Sequence, residues 1–182
     1  EYQSVNAAGL NDVRLQDGDS IATALVVDKA STDTEYLLVT REGQALRFSN
    51  GEVRATGRDG QGVNAISLKG NDELVSATTI DPKDDSDVIV VTERGQIKRT
   101  ALDEYPQRKR AGAGVAAIGL AKGDRLVGTI VASNKQEVIV SCASGQSRQV
   151  VVKDLRRQGR ATKGTTLFDV SKDDRVTVLS VA

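Results

Sequence analysis

Histidine is absent from this 182-residue sequence, tryptophan and methionine are absent too, and cysteine occurs once. Without histidine the commonest general base is missing, and one thiol cannot make up a zinc site. Cys142 has no partner for an internal disulfide, so nothing marks the chain for an oxidising compartment. It follows the apolar run Val138-Ile139-Val140 and reads as a buried structural thiol. Aromatic residues make up 3% of the chain against 38% hydrophobic, so the core must rest on Val, Ile, Leu and Ala. That suits a sheet, and it argues against single-strand nucleic-acid binding, which stacks bases on rings. No apolar run approaches the roughly 20 residues of a membrane span, and there is no signal-peptide core. The expectation is a soluble cytoplasmic protein with no membrane partner. The sequence begins in mid-pattern without Met and reads as a piece of a longer polypeptide. Net charge is also absent, 25 Lys and Arg balancing 25 Asp and Glu. As a total this argues against nucleic acid, so the segregation of charge along the chain decides the question.

What is present is a repeat. Gly43-Gln44, Gly95-Gln96 and Gly145-Gln146 are spaced by 52 and 50 residues. Counting from each Gly, an acid follows at nine (Glu52, Glu104, Asp154), arginine at fifteen (Arg58, Arg110, Arg160) and glycine at nineteen (Gly62, Gly114, Gly164). A large apolar residue follows at twenty-three (Ile66, Ile118, Phe168) and aspartate at twenty-nine (Asp72, Asp124, Asp174). Gly9, Val13, Leu15 and Asp19 continue the register backwards. The chain is therefore half a repeat and three full ones: a partial blade over 1–30, then units at about 35–81, 87–132 and 136–182.

Each unit reads as four strands. A continuous apolar run, such as Leu37-Leu38-Val39 or Val88-Ile89-Val90-Val91, predicts a strand covered on both faces. The glycine turn supplies a hairpin and a second strand. A polar loop leads to an alternating third strand with Ile66 and Leu68, or Ile118 and Leu120, facing in. The fourth strand runs from Glu73 to Ile80, and no segment reads as an amphipathic helix. Four-stranded units every 50 residues or so predict an all-β, propeller-like ring. The aspartates after each third strand read as structural turn residues.

Charge segregates in the 20 residues that begin at each Gly-Gln glycine. These windows carry +1, +3 and +5, and the rest of the chain carries the compensating negative charge. Their cations include Arg47, Arg54 and Arg58, then Lys98, Arg99, Arg108, Lys109 and Arg110, then Arg148, Lys153, Arg156, Arg157, Arg160 and Lys163. Equivalent segments of a ring lie at equivalent places, so these residues predict a basic arc able to follow a duplex backbone. The second and third units should dominate, and Ala at Arg156, Arg157 and Arg160 should leave folding nearly intact if those side chains are exposed. Asp81, Asp84, Asp85 and Asp87 gather instead in a connection that reads as a solvated loop.

Gly43-Gln44-Ala45-Leu46-Arg47-Phe48, Glu52-Val53-Arg54, Gln61-Gly62-Val63 and Asp72-Glu73-Leu74-Val75, with their counterparts through Gly159-Arg160-Ala161-Thr162-Lys163-Gly164, resemble the repeat of the family formed by the C-terminal domains of the A subunits of DNA gyrase and topoisomerase IV. The resemblance covers essentially the whole chain. It implies a β-pinwheel, in which neighbouring blades exchange strands, that wraps duplex DNA and supports negative supercoiling. Its implied partners are the remainder of the topoisomerase A polypeptide and, through it, the ATPase B subunit. In topoisomerase IV the domain instead helps select DNA crossings. The Gln-Arg-Arg-Gly-Gly-Lys-Gly box of gyrase has its nearest counterpart in Gln107-Arg108-Lys109-Arg110-Ala111-Gly112-Ala113-Gly114, one residue longer and without the Lys before the last Gly. A protein-binding propeller is the alternative of a different class, although the diglycine and paired aromatics of kelch blades are missing.

Catalysis is not expected. There is no phosphate-cradling Gly-Lys-Ser/Thr loop, no metal-binding carboxylate cluster on a plausible scaffold, and no residue set for a cofactor. Tyr2, Tyr36 and Tyr105 read as packing residues rather than nucleophiles.

Overall fold

The structure is a computed structural model that describes residues 13–27, 33–57 and 60–182. Helix among these residues is confined to the 3-10 turns Asn50–Glu52, Leu102–Glu104 and Val152–Asp154. Each full repeat opens on the expected hairpin. Strands β1 (Glu35–Thr40) and β2 (Gln44–Ser49), β4 (Ser86–Thr92) and β5 (Gln96–Ala101), and β8 (Glu137–Cys142) and β9 (Ser147–Val151) pair antiparallel. Their turns hold Gly43, Gly95 and Gly145 at φ of 84°, 78° and 91°, where a side chain is strained. The last segment of each repeat returns along the first strand: β3 (Leu74–Ile80) on β1, β7 (Leu126–Ser133) on β4, and β11 (Val176–Val181) on β8.

The third strand departs from the reading of each unit taken alone, and its pairing is the exchange between neighbouring blades that the resemblance implies. It shrinks to two residues, β6 (Val115–Ala116) and β10 (Thr165–Thr166), and joins the preceding repeat, β6 pairing with β2 and β10 with β5. The sheet orders are β3-β1-β2-β6 and β10-β5-β4-β7, while β11-β8-β9 has three strands among the described residues. In the first repeat the expected strand around Ile66 and Leu68 does not form. Ile66 packs on Leu38, Leu46 and Phe48, but Leu68 is 45% exposed. So short a strand exists only on the edge of the preceding repeat that receives it, and the described residues ahead of β1 form no strand to supply that edge. Of the amino-terminal partial blade, residues 13–27 form no regular strand, and residues 1–12 and 28–32, Gly9 among them, lie outside the described residues.

The apolar runs bury both faces of β1 and β4, as their continuity dictates, whereas β8 buries Val138 and Val140 and leaves Ile139 half-buried. Leu37 and Val39 meet Val88 and Val90 between the first two sheets; Ile89 and Val91 meet Val138 and Val140 between the second and third. Val88 through Val91 are 0% exposed, and burying each such side chain contributes about 1.5–3 kcal/mol. Cys142 lies in the second of these cores, where burial holds its thiol above the usual range.

The recurring aspartates tie turns together. The Oδ1 of Asp72 accepts the amides of Glu42 and Glu73 at 2.9 Å each. Asp124 serves Arg94 (3.1 Å) and Arg125 (2.8 Å), and Asp174 serves Ser144 (3.2 Å) and Arg175 (2.8 Å). One carboxylate joins each hairpin turn to the turn about 30 residues later, consistent with the affinity of Asp for turn amides.

Glycine is required where the donated strand crosses. A Cβ on Gly114, at φ +76°, would lie 2.4 Å from the Ala45 carbonyl oxygen. Gly123 has φ +80° but open space around it. Gly114→Ala is therefore expected to cost about 3 kcal/mol or more, and Gly123→Ala about 1 kcal/mol. Equal losses in urea denaturation would contradict the close crossing.

Candidate nucleic-acid interface

After each 3-10 turn the chain enters the polar loop that carries the basic residues. In the second and third repeats strand exchange lays this loop on the preceding sheet. The Arg108 amide donates to the Arg47 carbonyl at 2.8 Å and the Arg110 amide to Glu52 Oε2 at 2.8 Å. One repeat further, the Gln158 amide donates to the Arg99 carbonyl at 2.8 Å and the Arg160 amide to Glu104 Oε2 at 3.0 Å. Thus the acid nine residues after the Gly-Gln glycine fastens the next repeat's loop, and Asp154 is the exposed third member of that series.

The cations expected to form the arc divide sharply by burial. Lys98 and Arg99 are 1% and 7% exposed, and the Arg47 side chain is 12% exposed. Arg47 pairs with Glu35 and donates to the carbonyls of Leu102 and Tyr105 at 3.2 Å each. Arg99 pairs with Asp87 at 2.5 Å and donates to the carbonyls of Val152, Lys153 and Leu155. Lys98 Nζ lies among the carbonyls of Ala117, Gly159, Arg160 and Thr162. Burial pulls this ammonium down to about 8, below the ordinary lysine range, with Glu104 opposing and Arg160 adding to the shift. These three side chains latch one repeat to the next and present no charge to a ligand.

Arg110 and Arg160 are half-buried. Arg110 donates to the carbonyls of Glu52 (3.1 Å) and Asn64 (2.9 Å), and Arg160 to that of Ala116 (2.9 Å). The recurring arginine therefore ties its loop to the preceding repeat, and Arg58, its counterpart in the first repeat, lies outside the described residues. Arg108, Lys109, Arg148, Arg156, Arg157 and Lys163 are exposed. Of these, Arg148 donates to the Leu167 carbonyl, and Arg157 Nε sits 3.0 Å from Asp87 Oδ1 and 3.1 Å from Oδ2. Changing Arg156, Arg157 and Arg160 together would thus disturb two internal braces, contrary to the expectation that it spares folding.

The acidic connection also differs from its reading as a solvated loop. Asp81, Asp84 and Asp85 are exposed, but Asp87 is 1% exposed and faces Arg99. A signal for this was present: Glu35, Asp87 and Glu137 recur eight residues before the Gly-Gln glycine, and Arg47, Arg99 and Gln149 four residues after it. The hairpin brings each pair together, including Gln149 with Glu137.

Among the described residues no group of three or more acids and Cys is arranged to hold a metal, and no helix is long and apolar enough to cross a membrane. Tyr36 donates to Asn50 Oδ1 at 2.7 Å and its ring lies 5.6 Å from that of Phe48. Tyr105 is 1% exposed, and burial pushes its hydroxyl up to about 12. Both are packed; Tyr2 lies outside the described residues.

The chain is 38% identical over 175 residues to the A subunit of DNA gyrase from Kosmotoga olearia, a match covering 96% of this chain and 21% of that protein. It spans about a fifth of that curated relative. A solved C-terminal domain of DNA topoisomerase IV superposes with a TM-score of 0.91 at 27% identity, over 100% of this chain and 56% of that one. A DNA gyrase A C-terminal domain superposes with a TM-score of 0.85 at 24% identity, over 96% and 58%, a likeness of fold. The family described as the DNA gyrase C-terminal domain, a β-propeller, matches residues 1–28, 34–81, 86–133 and 144–182, each segment falling on one repeat. With the donated strands, the two-faced cores and this match all following the same period, the chain belongs to the DNA gyrase C-terminal domain family.

Proposed function

We propose that the chain binds duplex DNA along the exposed cations of successive loops and bends it, as the wrapping domain of a gyrase A polypeptide. The observation that carries this reading is the repetition of one arrangement. Arg108 and Lys109 stand on one loop, Arg156 and Lys163 on the same loop a repeat later, and each loop is strapped to the sheet before it. A rigid row of cations neutralises phosphates at intervals and favours a curved path, and contacts of this kind read no bases. The Kosmotoga relative, a gyrase protein, supports gyrase over topoisomerase IV. The domain itself breaks no bonds. Strand cleavage belongs to the rest of the A polypeptide, ATP hydrolysis to a separate B subunit, in a cytoplasmic type II topoisomerase that introduces negative supercoils.

The test is a salt titration of binding to labelled duplexes of unrelated sequence. The expected result is one affinity for all of them and a log–log slope near −4, from about four phosphate contacts at roughly 0.9 each. No nicking should occur with Mg²⁺. Salt-independent binding, preference for single strands, or nicking by the pure protein would overturn the reading.

A further inference from the structure

Lys98 carries its charge inside the protein. Its Nζ donates to the carbonyls of Ala117 and Arg160, with the Gly159 oxygen at 3.3 Å and that of Thr162 at 3.5 Å. An ammonium has three protons, so four carbonyls share them. Three segments meet at this point: β5, which carries Lys98; Ala117, next to the strand donated to the first sheet; and the loop of the third repeat. The same loop is held from its other side, where Glu104 accepts the Arg160 amide at 3.0 Å and the Thr162 carbonyl accepts the Gly119 amide at 2.9 Å. In the first repeat the same register position is Leu46, which has no donor.

We infer that Lys98 is a positioning residue for DNA: it fixes the loop bearing Arg156 and Lys163 on the second sheet, and so sets the angle between this patch and the one bearing Arg108 and Lys109. The inference rests on the DNA-wrapping reading and deepens it. An ammonium enclosed by carbonyls meets no phosphate and releases no counterion of its own. What it governs is the relation between patches. A duplex of one helical turn needs only one patch, whereas a longer duplex must satisfy both and bend to do so.

The test compares wild type with Lys98→Leu, a side chain the repeat already accommodates at Leu46, and with Arg156→Ala. Three measurements are made: amide exchange at Gln158, Arg160 and Thr162; affinity for a duplex of about 10 bp, one helical turn; and bending of an end-labelled duplex of about 30 bp by energy transfer. In Lys98→Leu, exchange at the three amides should rise about tenfold or more, as for loss of a charge-assisted hydrogen bond. Short-duplex affinity should stay within about twofold, since every phosphate keeps its cation. Bending of the long duplex should fall clearly. Arg156→Ala should show the opposite pattern, with weaker short-duplex binding and unchanged exchange. Unchanged exchange or unchanged bending in folded Lys98→Leu overturns the inference. So does a short-duplex loss equal to that of Arg156→Ala, which would make Lys98 a direct contact. If Lys98→Leu does not fold, Lys98→Gln, which keeps a donor of shorter reach without the charge, is judged on the same results. A wild type that bends no duplex sinks the DNA reading itself, and the exchange measurement then still decides whether Lys98 holds the loop.

Discussion

Replacing Arg108, Lys109, Arg156 and Lys163 together by alanine is expected to weaken binding to every duplex alike and to reduce the slope of log affinity against log salt by about 3 to 4 units, at roughly 0.9 for each phosphate no longer neutralised. All four side chains are exposed, so unfolding free energy should move by no more than about 0.5 kcal/mol. Arg156, Arg157 and Arg160 form a poorer set. Arg157 lies against Asp87 and Arg160 bonds the Ala116 carbonyl, so their joint removal mixes binding with stability. Salt titrations of both variants beside urea denaturation separate the two effects. A folded quadruple variant that binds as wild type does would remove the exposed loops from the DNA path and favour a protein-binding propeller.

The largest stability effect is expected at Asp87. Its carboxylate is 1% exposed and pairs with Arg99, whose guanidinium also gathers the carbonyls of Val152, Lys153 and Leu155 from the next repeat. Asp87→Ala leaves a buried cation without its counter-charge, and the cost for breaking such a pair is about 3–5 kcal/mol. Asp85, two residues earlier, is 89% exposed and 3.8 Å from Arg157; Asp85→Ala should cost no more than about 1 kcal/mol. Chemical denaturation compares the two directly, and similar losses would mean that the buried latch contributes little.

Much of the fold is legible because the physics that repeats is local. A hairpin glycine, a two-faced apolar run and a turn aspartate each act within their own stretch of chain, so period and residue type expose them. The third strand escapes such a reading because its pairing is not local. Val115 and Ala116 form a strand only against Gln44 and Ala45, about 70 residues away, and no alternation within the segment encodes that partner. The charge pattern misleads for a related reason. Lys98, Arg99 and Arg108 look alike in a running sum of charge, yet two face carbonyls and carboxylates of neighbouring segments and the third faces solvent. The acids eight residues before each hairpin glycine are the available clue, since an acid that recurs with an arginine across a hairpin marks an internal pair rather than a surface field.

The donated strands have a consequence for dissection of the molecule. The covalent period and the folding period are out of phase: a sheet is complete only when the chain has run about 30 residues into the following repeat, as the first sheet is when β6 arrives. Cutting between consecutive repeats strips an outer strand from the upstream sheet and exposes a bare edge, which invites pairing with foreign chains. A boundary placed just beyond Ala116 preserves the first sheet but leaves β4 and β5 without β7, the strand that returns along β4. No cut within the described repeats spares every sheet, so excised single repeats should associate or unfold, and melting of the intact chain should be more cooperative than that of an array whose units close on themselves.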